Sequence, residues 1–528
     1  MKYFLYLKLF IFCLAISTQA QVNRDWVFNL TDPLFINGNA NCVVHDNHSN
    51  AFVGGLLHSN NISWPALLKL NSSGQLLIMD TISPGTSGQG VTGLAYDNQE
   101  MIYASGDLAG LQPTMFVSKY DTSGNLRWLQ RFYTADSTEI VSKKIKFNSD
   151  GFIYAMGIFS DSLFHFHMQI LKLDTSGNVL HRFADSSNFI SCYPVDFVQE
   201  LNGDLYCLTQ SMIAGSGSID VCILAFDQNG QFKWTRCFDG PSHAYDEASD
   251  IHLDTQNNLI VSGYLPNAVP GNNCMLLKLD SLGNTLWYNT YSLSGSYKFR
   301  TDEDNFIYMV GSDSSALVYS NGLSKFDSSG NLLFTQNYIF SGYSDVDIQA
   351  ITIDDSANVY FTGTGYSLNS LYDIITCKVD SSLNLIWSDA FNPGNAHGEV
   401  PNDMTLTSDE VVYVAGFSDY DQIPNTANLS LIKYSPHFLN DVNEMQSRPG
   451  LGIFPNPVES NFTIQTVSEY QFPEVNLYDS KGMMVFSSVI GAHGKHRVPI
   501  TGVNLSSGLY MVRVKENGKM ESGKIIVH

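Results

Sequence analysis

The residues of this chain that could do chemistry are few and widely spaced. His165 and His167, in LFHFHMQ, alternate along one strand face and could hold a metal ion together with a carboxylate. Asp161, Asp250, Asp347 and Asp403 could supply the paired carboxylates of glycoside chemistry if the fold brought two of them about 5–9 Å apart. The same aspartates could instead start strands by hydrogen bonding to loops. A recurring D-x-S-G-N element, at Asp121, Asp174 and Asp327, offers oxygens to calcium but lacks the acidic run ending in Glu that such a loop needs. As a tight turn it is fully explained: the aspartate accepts from the turn backbone, and Gly124, Gly177 and Gly330 supply positive φ. No G-x-S-x-G elbow, H-E-x-x-H helix, Walker loop or dinucleotide fingerprint occurs, so no catalytic, cofactor or metal residue is singled out.

Composition narrows the classes. The 528 residues carry 28 basic and 51 acidic side chains, a formal charge of −23, which excludes a nucleic-acid face and unaided binding to anionic lipid. The opening MKYFLYLKLFIFCLAISTQA, residues 1–20, has Lys2 and Lys8 around an apolar run that ends at Thr18 and Ala20, the pattern of a cleaved export signal. Phe12 before Cys13 argues against a lipid anchor, and no other stretch is long and apolar enough for a transmembrane segment. Seven cysteines follow the leader, four of them spaced by 15 residues from Cys192 to Cys237. They read as small buried hydrophobes in strands, with a Cys207–Cys222 disulfide on neighbouring strands as the alternative.

The elements that must position these residues come from a repeat. Lys69, Lys119, Lys172, Ala225, Lys278, Lys325, Lys378 and Lys433 mark eight copies of a K-x-D turn motif, spaced by 47 to 55 residues. A strand ending in Gly precedes each, as in IYASG to Gly106 and VYFTG to Gly363, with Gln210 replacing Gly in the fourth. SDIHLD, NLIVSGY, CMLLKLD and LGNTLWYNTY show that one unit is four short strands. Four-stranded units at this period predict an all-β, eight-bladed β-propeller over residues 21–440. The last copy lacks its Trp strand, and RDWVFNL near the start matches it, so Trp26 is expected to complete the final blade. Trp128, Trp234, Trp287 and Trp387 are read as wedges between blades.

YDEASDIHLDTQNNLIVSGY with CMLLKLDSLGNTLWYNTY resembles the SBBP-type β-propeller repeat of secreted bacterial proteins, which implies a fold more than an activity. After a polar linker at residues 441–450, residues 451–528 alternate as a small Ig-like sandwich of about seven strands. FPNP at Phe454–Pro457, VNLYDSKGMMV, LSSGLYMVRV and GKIIVH resemble the type A C-terminal sorting domain of the type IX secretion system. The resemblance implies recognition by the type IX outer-membrane translocon and its sortase-like machinery, passage to the cell surface, and attachment to a surface polysaccharide. It assigns sorting roles to Pro455, Asn456, Pro457, Lys524, Ile525, Ile526 and Val527.

The propeller is expected to be a non-catalytic binding or adhesion module for a glycan, protein or cation. A polysaccharide lyase or glycoside hydrolase and a structural surface-layer component are the alternatives. Carboxylates converging with His or Arg in one pocket would favour the enzyme, and exposed aromatics at the blade tips would favour glycan binding.

Overall fold

A computed structural model describes residues 23–435 and 452–527, apart from loop stretches of at most eight residues, and every regular element in it is a strand. The leader at 1–20, the linker at 441–450 and Pro455, Asn456 and Pro457 lie outside the described residues. The chain forms two units, Met1–His437 and Phe438–His528.

The first unit contains six four-stranded antiparallel sheets and one eight-stranded sheet. The larger one is two four-stranded sheets joined by a single parallel bridge, Tyr372 to Gly398. The blades therefore number eight, at residues 37–81, 87–132, 140–184, 189–238, 247–291, 299–337, 343–391 and 398–435. The eighth borrows its outer strand from Asn23–Asn29, which pairs antiparallel with Thr426–Ser435. Trp26 stands opposite Lys433 as Trp128 stands opposite Lys119, so the first strand occupies the repeat's Trp position.

The lysine and the tryptophan explain each other. Both reach forward to one backbone carbonyl in the turn of the next blade. Thr175 O accepts from Lys119 Nζ at 3.1 Å and from Trp128 Nε1 at 3.0 Å. Ser328 O accepts from Lys278 at 3.5 Å and Trp287 at 3.2 Å. Ser72 O accepts from Lys433 and Trp26, each at 3.0 Å, and this clasp joins blade 8 to blade 1. The indole lies against the turn glycine: a Cβ on Gly74, at φ +82°, would come within 2.7 Å of the Trp26 ring. Positive φ and lack of space together require glycine there.

A lysine this buried would be costly without a partner, and Lys278 is only 7 % exposed. Its Nζ meets Asp254 at 2.7 Å, and Lys172 meets Asp150 at 2.9 Å, both in turns after the innermost strand of their own blades. The tyrosine of the Gly-ending strand fills the remaining space. Lys119 lies over the Tyr103 ring, whose hydroxyl donates to Asp97 at 2.9 Å. Where a copy departs from the pattern, the contact changes hands. Ala225 replaces the lysine of blade 4, and the Tyr206 hydroxyl reaches Ser281 O at 3.4 Å beside Trp234 Nε1 at 3.2 Å. Blade 8 draws its outer strand from elsewhere in the chain, and Trp387 stacks on Tyr434 at 5.7 Å.

The cysteines require a correction. Each strand of blade 4 carries one: Cys192, Cys207, Cys222 and Cys237. The disulfide joins Cys222 to Cys237, not Cys207 to Cys222, because Cys237 lies directly opposite Cys222 while Cys207 pairs with Leu224. Cys42, Cys192, Cys207, Cys274 and Cys377 lie outside the disulfide and are buried, as small hydrophobes.

The second unit is a two-sheet sandwich of three and four strands. One core holds Phe462, Ile464 and Val498 from the smaller sheet against Val475, Leu477, Val512, Val514, Ile525 and Val527 from the larger.

Blades 7 and 8 meet at a pair of buried carboxyls. Glu399 is fully buried beside Asp373, and Tyr343 donates to Asp373 at 2.5 Å. Burial, with Asp373 and Asp419 nearby, pushes Glu399 up to about 8. A raised carboxyl stabilises the fold below its unfolded range near pH 4.5 and loses that contribution as pH rises toward 8. Stability in chemical denaturation should therefore fall by roughly 1–3 kcal/mol across this window. Glu399→Gln should flatten the dependence, and an unchanged slope would refute the raised Glu399 carboxyl. Trp26→Ala should destabilise the propeller by about 2–4 kcal/mol in thermal or denaturant unfolding. Trp26→Phe should cost only about 1 kcal/mol, the missing N–H bond. Unaltered unfolding in the alanine variant would show that the first strand does not hold the ring closed.

Candidate functional site

The innermost strands meet around one cavity of about 630 Å³, lined by residues from all eight blades. In seven blades the register of that strand slips by one residue partway along. Such a bulge re-aims the side chains around it. In blades 4, 5 and 8 the residue after the slip is an aspartate: Asp196, Asp250 and Asp403.

Two of these aspartates act as clips between blades. Asp250 Oδ1 accepts the N–H of Ile251 at 3.0 Å, and Oδ2 accepts that of Phe299, in the next blade, at 3.2 Å. Asp403 does the same with Met404 at 2.9 Å and Val43 at 3.0 Å. Asp196 Oδ1 accepts from Phe197, and its oxygens meet Lys144 at 2.5 Å and Lys146 at 2.7 Å from the preceding blade. In blades 4, 5 and 8 the aspartate of the innermost strand therefore serves the ring.

The sequence missed the basic side chains that share the cavity. Lys143, Lys144, Lys146, Lys298 and Arg300 line it against Asp196, Asp250 and Asp403, with His252 beside them. Five cations against three carboxylates is an inversion within a chain of charge −23. Arg300 Nη1 lies 3.2 Å from Asp250 and 3.0 Å from His252 Nε2. Lys298 Nζ donates to the carbonyl of Gln349 at 2.5 Å. Among the described residues neither Lys143 nor Lys298 meets a carboxylate within 4 Å. Burial alone would raise Asp250, yet His252, Arg300 and Lys144 hold it well below the usual carboxylate range. Burial dominates at Asp403 and raises it, against two N–H donors. Burial also pushes the Lys146 and Lys298 ammonium groups down. The signal was present in SKKIKF and YKFR, basic clusters at innermost-strand positions in a chain poor in basic residues.

The other sequence candidates fall elsewhere. Asp161 lies in a turn of blade 3, where its Oδ2 faces His165 Nδ1 at 3.2 Å and His167 Nε2 at 3.6 Å. Asp347 is exposed on the innermost strand of blade 7 and is not among the lining residues. The D-x-S-G-N turns spend their oxygens internally: Asp327 Oδ1 accepts from Ser329 and Asn331 N–H, and Oδ2 from the Asn331 amide. Exposed aromatics include Tyr133 and Tyr245 before innermost strands, Phe164 in the turn after the second strand of blade 3, and Tyr366 near the end of the second strand of blade 7. In the second unit Ile525 and Val527 are core residues, while Lys524 and Ile526 face outward on the same strand.

Comparison with known proteins divides along the same boundary. No curated protein matches the chain in sequence. Solved structures with likeness include Sqt1 of Chaetomium thermophilum, at 11 % identity over 76 % of this chain and 96 % of that one, TM-score 0.47. Others are the β-propeller domain of the Trilobed protease of Pyrococcus furiosus, at 11 %, 64 %, 93 % and 0.39, and the polysaccharide lyase Uly1, at 9 %, 69 %, 92 % and 0.42. Likenesses at this level say nothing of activity. Among the described residues no helix is long and apolar enough to cross a membrane. Residues 452–528 match the family described as the secretion system C-terminal sorting domain, which indicates export through the type IX machinery to the cell surface or extracellular space.

Proposed function

We infer that this protein is a surface-displayed β-propeller that acts as a non-catalytic binding module, its ligand an acidic glycan held at the cationic centre of the ring. The cavity charge carries this reading. Lys143 and Lys298 offer ammonium groups without a carboxylate partner among the described residues of an acidic molecule, an arrangement that focuses attraction for an anion on one spot. Tyr133, Tyr245 and Tyr366, exposed around the same face, supply flat surfaces on which sugar rings stack. Export to the cell surface or extracellular space supports a ligand of this kind, because such polymers are met outside the cell. In this reading Lys524 and Ile526 present the outward edge of the last strand to the translocon, Ile525 and Val527 shape it from within, and Pro455, Asn456 and Pro457 complete the signal. The repeat units would be of the SBBP type.

The convergence of Asp196, Asp250 and Asp403 with His252 and Arg300 favours a second reading, an extracellular lyase or hydrolase. Against it, backbone N–H groups or lysines already occupy oxygens of all three carboxylates.

Two experiments decide. Deleting residues 452–528 should abolish surface appearance and leave the protein in the periplasm, and continued display would refute type IX sorting. The exported protein should bind polygalacturonate but not a neutral glucan, more weakly as salt rises. The double variant Lys143→Ala/Lys298→Ala should weaken binding about tenfold, a loss of about 1.4 kcal/mol. No affinity for acidic polymers would overturn the binding reading, and chain cleavage of the polymer would establish the enzyme instead.

A further inference from the structure

A second site lies away from the cavity, at the crossover between blades 4 and 5. Asp220 opens the third strand of blade 4, Asp239 follows its outer strand, and Asp246 immediately precedes the innermost strand of blade 5. These positions are 19 and 7 residues apart in sequence, and the fold brings one oxygen from each to within 4.8 Å of the others. Asp220 and Asp246 are buried and Asp239 is exposed, so the cluster is open to solvent on one side.

Asp246 is the informative member. It is fully buried, its Oδ2 accepts the N–H of Gly240 at 2.7 Å, and its Oδ1 has no hydrogen-bond partner. That oxygen lies 2.8 Å from where a Cβ on Gly240, the residue that follows Asp239, would stand. A buried carboxylate oxygen without a donor is costly and calls for a cation or a proton. The surrounding groups are acidic apart from His243, whose Nδ1 meets Asp239 at 2.5 Å, while Ser218 donates to Asp220 at 2.7 Å. Burial, with Asp220 and Asp239 beside it, pushes Asp246 up to about 6, the mark of crowded like charges.

We propose that Asp220, Asp239 and Asp246 bind a divalent cation, calcium by preference, that fastens the 239–246 crossover to blade 4. Three carboxylates and no sulfur or free imidazole in the set suit a hard ion, and an open side leaves room for the waters that calcium retains. The ion would sit near the Cys222–Cys237 bridge, which joins the same two strands of blade 4, and would hold the loop that presents Tyr245.

The full exported protein, stripped with a chelator, should bind calcium in calorimetry with a dissociation constant of about 10⁻⁴–10⁻³ M and unfold at a higher temperature with calcium present. Asp239→Asn, at the exposed member, should weaken binding at least about tenfold without lowering the melting temperature of the metal-free protein. Asp246→Asn should abolish binding. Absence of heat and of a thermal shift at about 10 mM calcium would overturn the site in favour of a proton on Asp246. So would calcium binding that survives unchanged in both variants.

Discussion

The propeller depends on a backbone carbonyl in the turn of the next blade, which accepts from the preceding blade at six junctions. In a ring of blades each sheet must bury both faces against its neighbours. At three of these junctions the donors are a lysine and an indole at paired positions on adjacent strands, and elsewhere a lysine or a tyrosine hydroxyl takes part. Each such bond contributes only about 1 kcal/mol. Repetition around a closed circle makes the contribution collective, since no blade has a free side. The two donors also account for the composition of the repeat: glycine where the indole lies flat, an acid to neutralise the lysine, and tyrosine to cover its stem.

This frame leaves the innermost strands free to vary. Their bulges aim side chains toward the axis, and the position after the slip is Cys42, Gly93, Lys144, Asp196, Asp250, Ala350 or Asp403 in different blades. Aspartate there clips blade to blade, and Lys144 there pairs with Asp196 of the next blade. The same strand position thus joins blades through an acid in some copies and through a base in another. A reader counting acids alone finds the clips and overlooks the cations.

The second unit obeys a different rule. Its last strand divides Ile525 and Val527 to the core from Lys524 and Ile526 outside, so neighbouring residues serve a core face and an exposed face in turn. Alternation along a strand makes both roles compatible in four consecutive residues.

Much of the molecule was legible in sequence because period-two patterning, turn chemistry and a 47–55-residue repeat are local properties. They specified strands, eight blades, the borrowed strand with Trp26 and the sandwich at the end. Which side chains meet across a ring is not local. Cys222 lies opposite Cys237 and not Cys207 because of register, which a one-residue shift would reverse. Lys144 and Arg300, 156 positions apart, share a cavity only because eight strands converge on one axis. Asp220 and Asp246 come together because a strand start and a loop end fall on the same face of adjacent blades. Sequence alone therefore determined the unit and its count; closure of the ring decided which charges face one another, since their proximity is set by the circle and not by the chain.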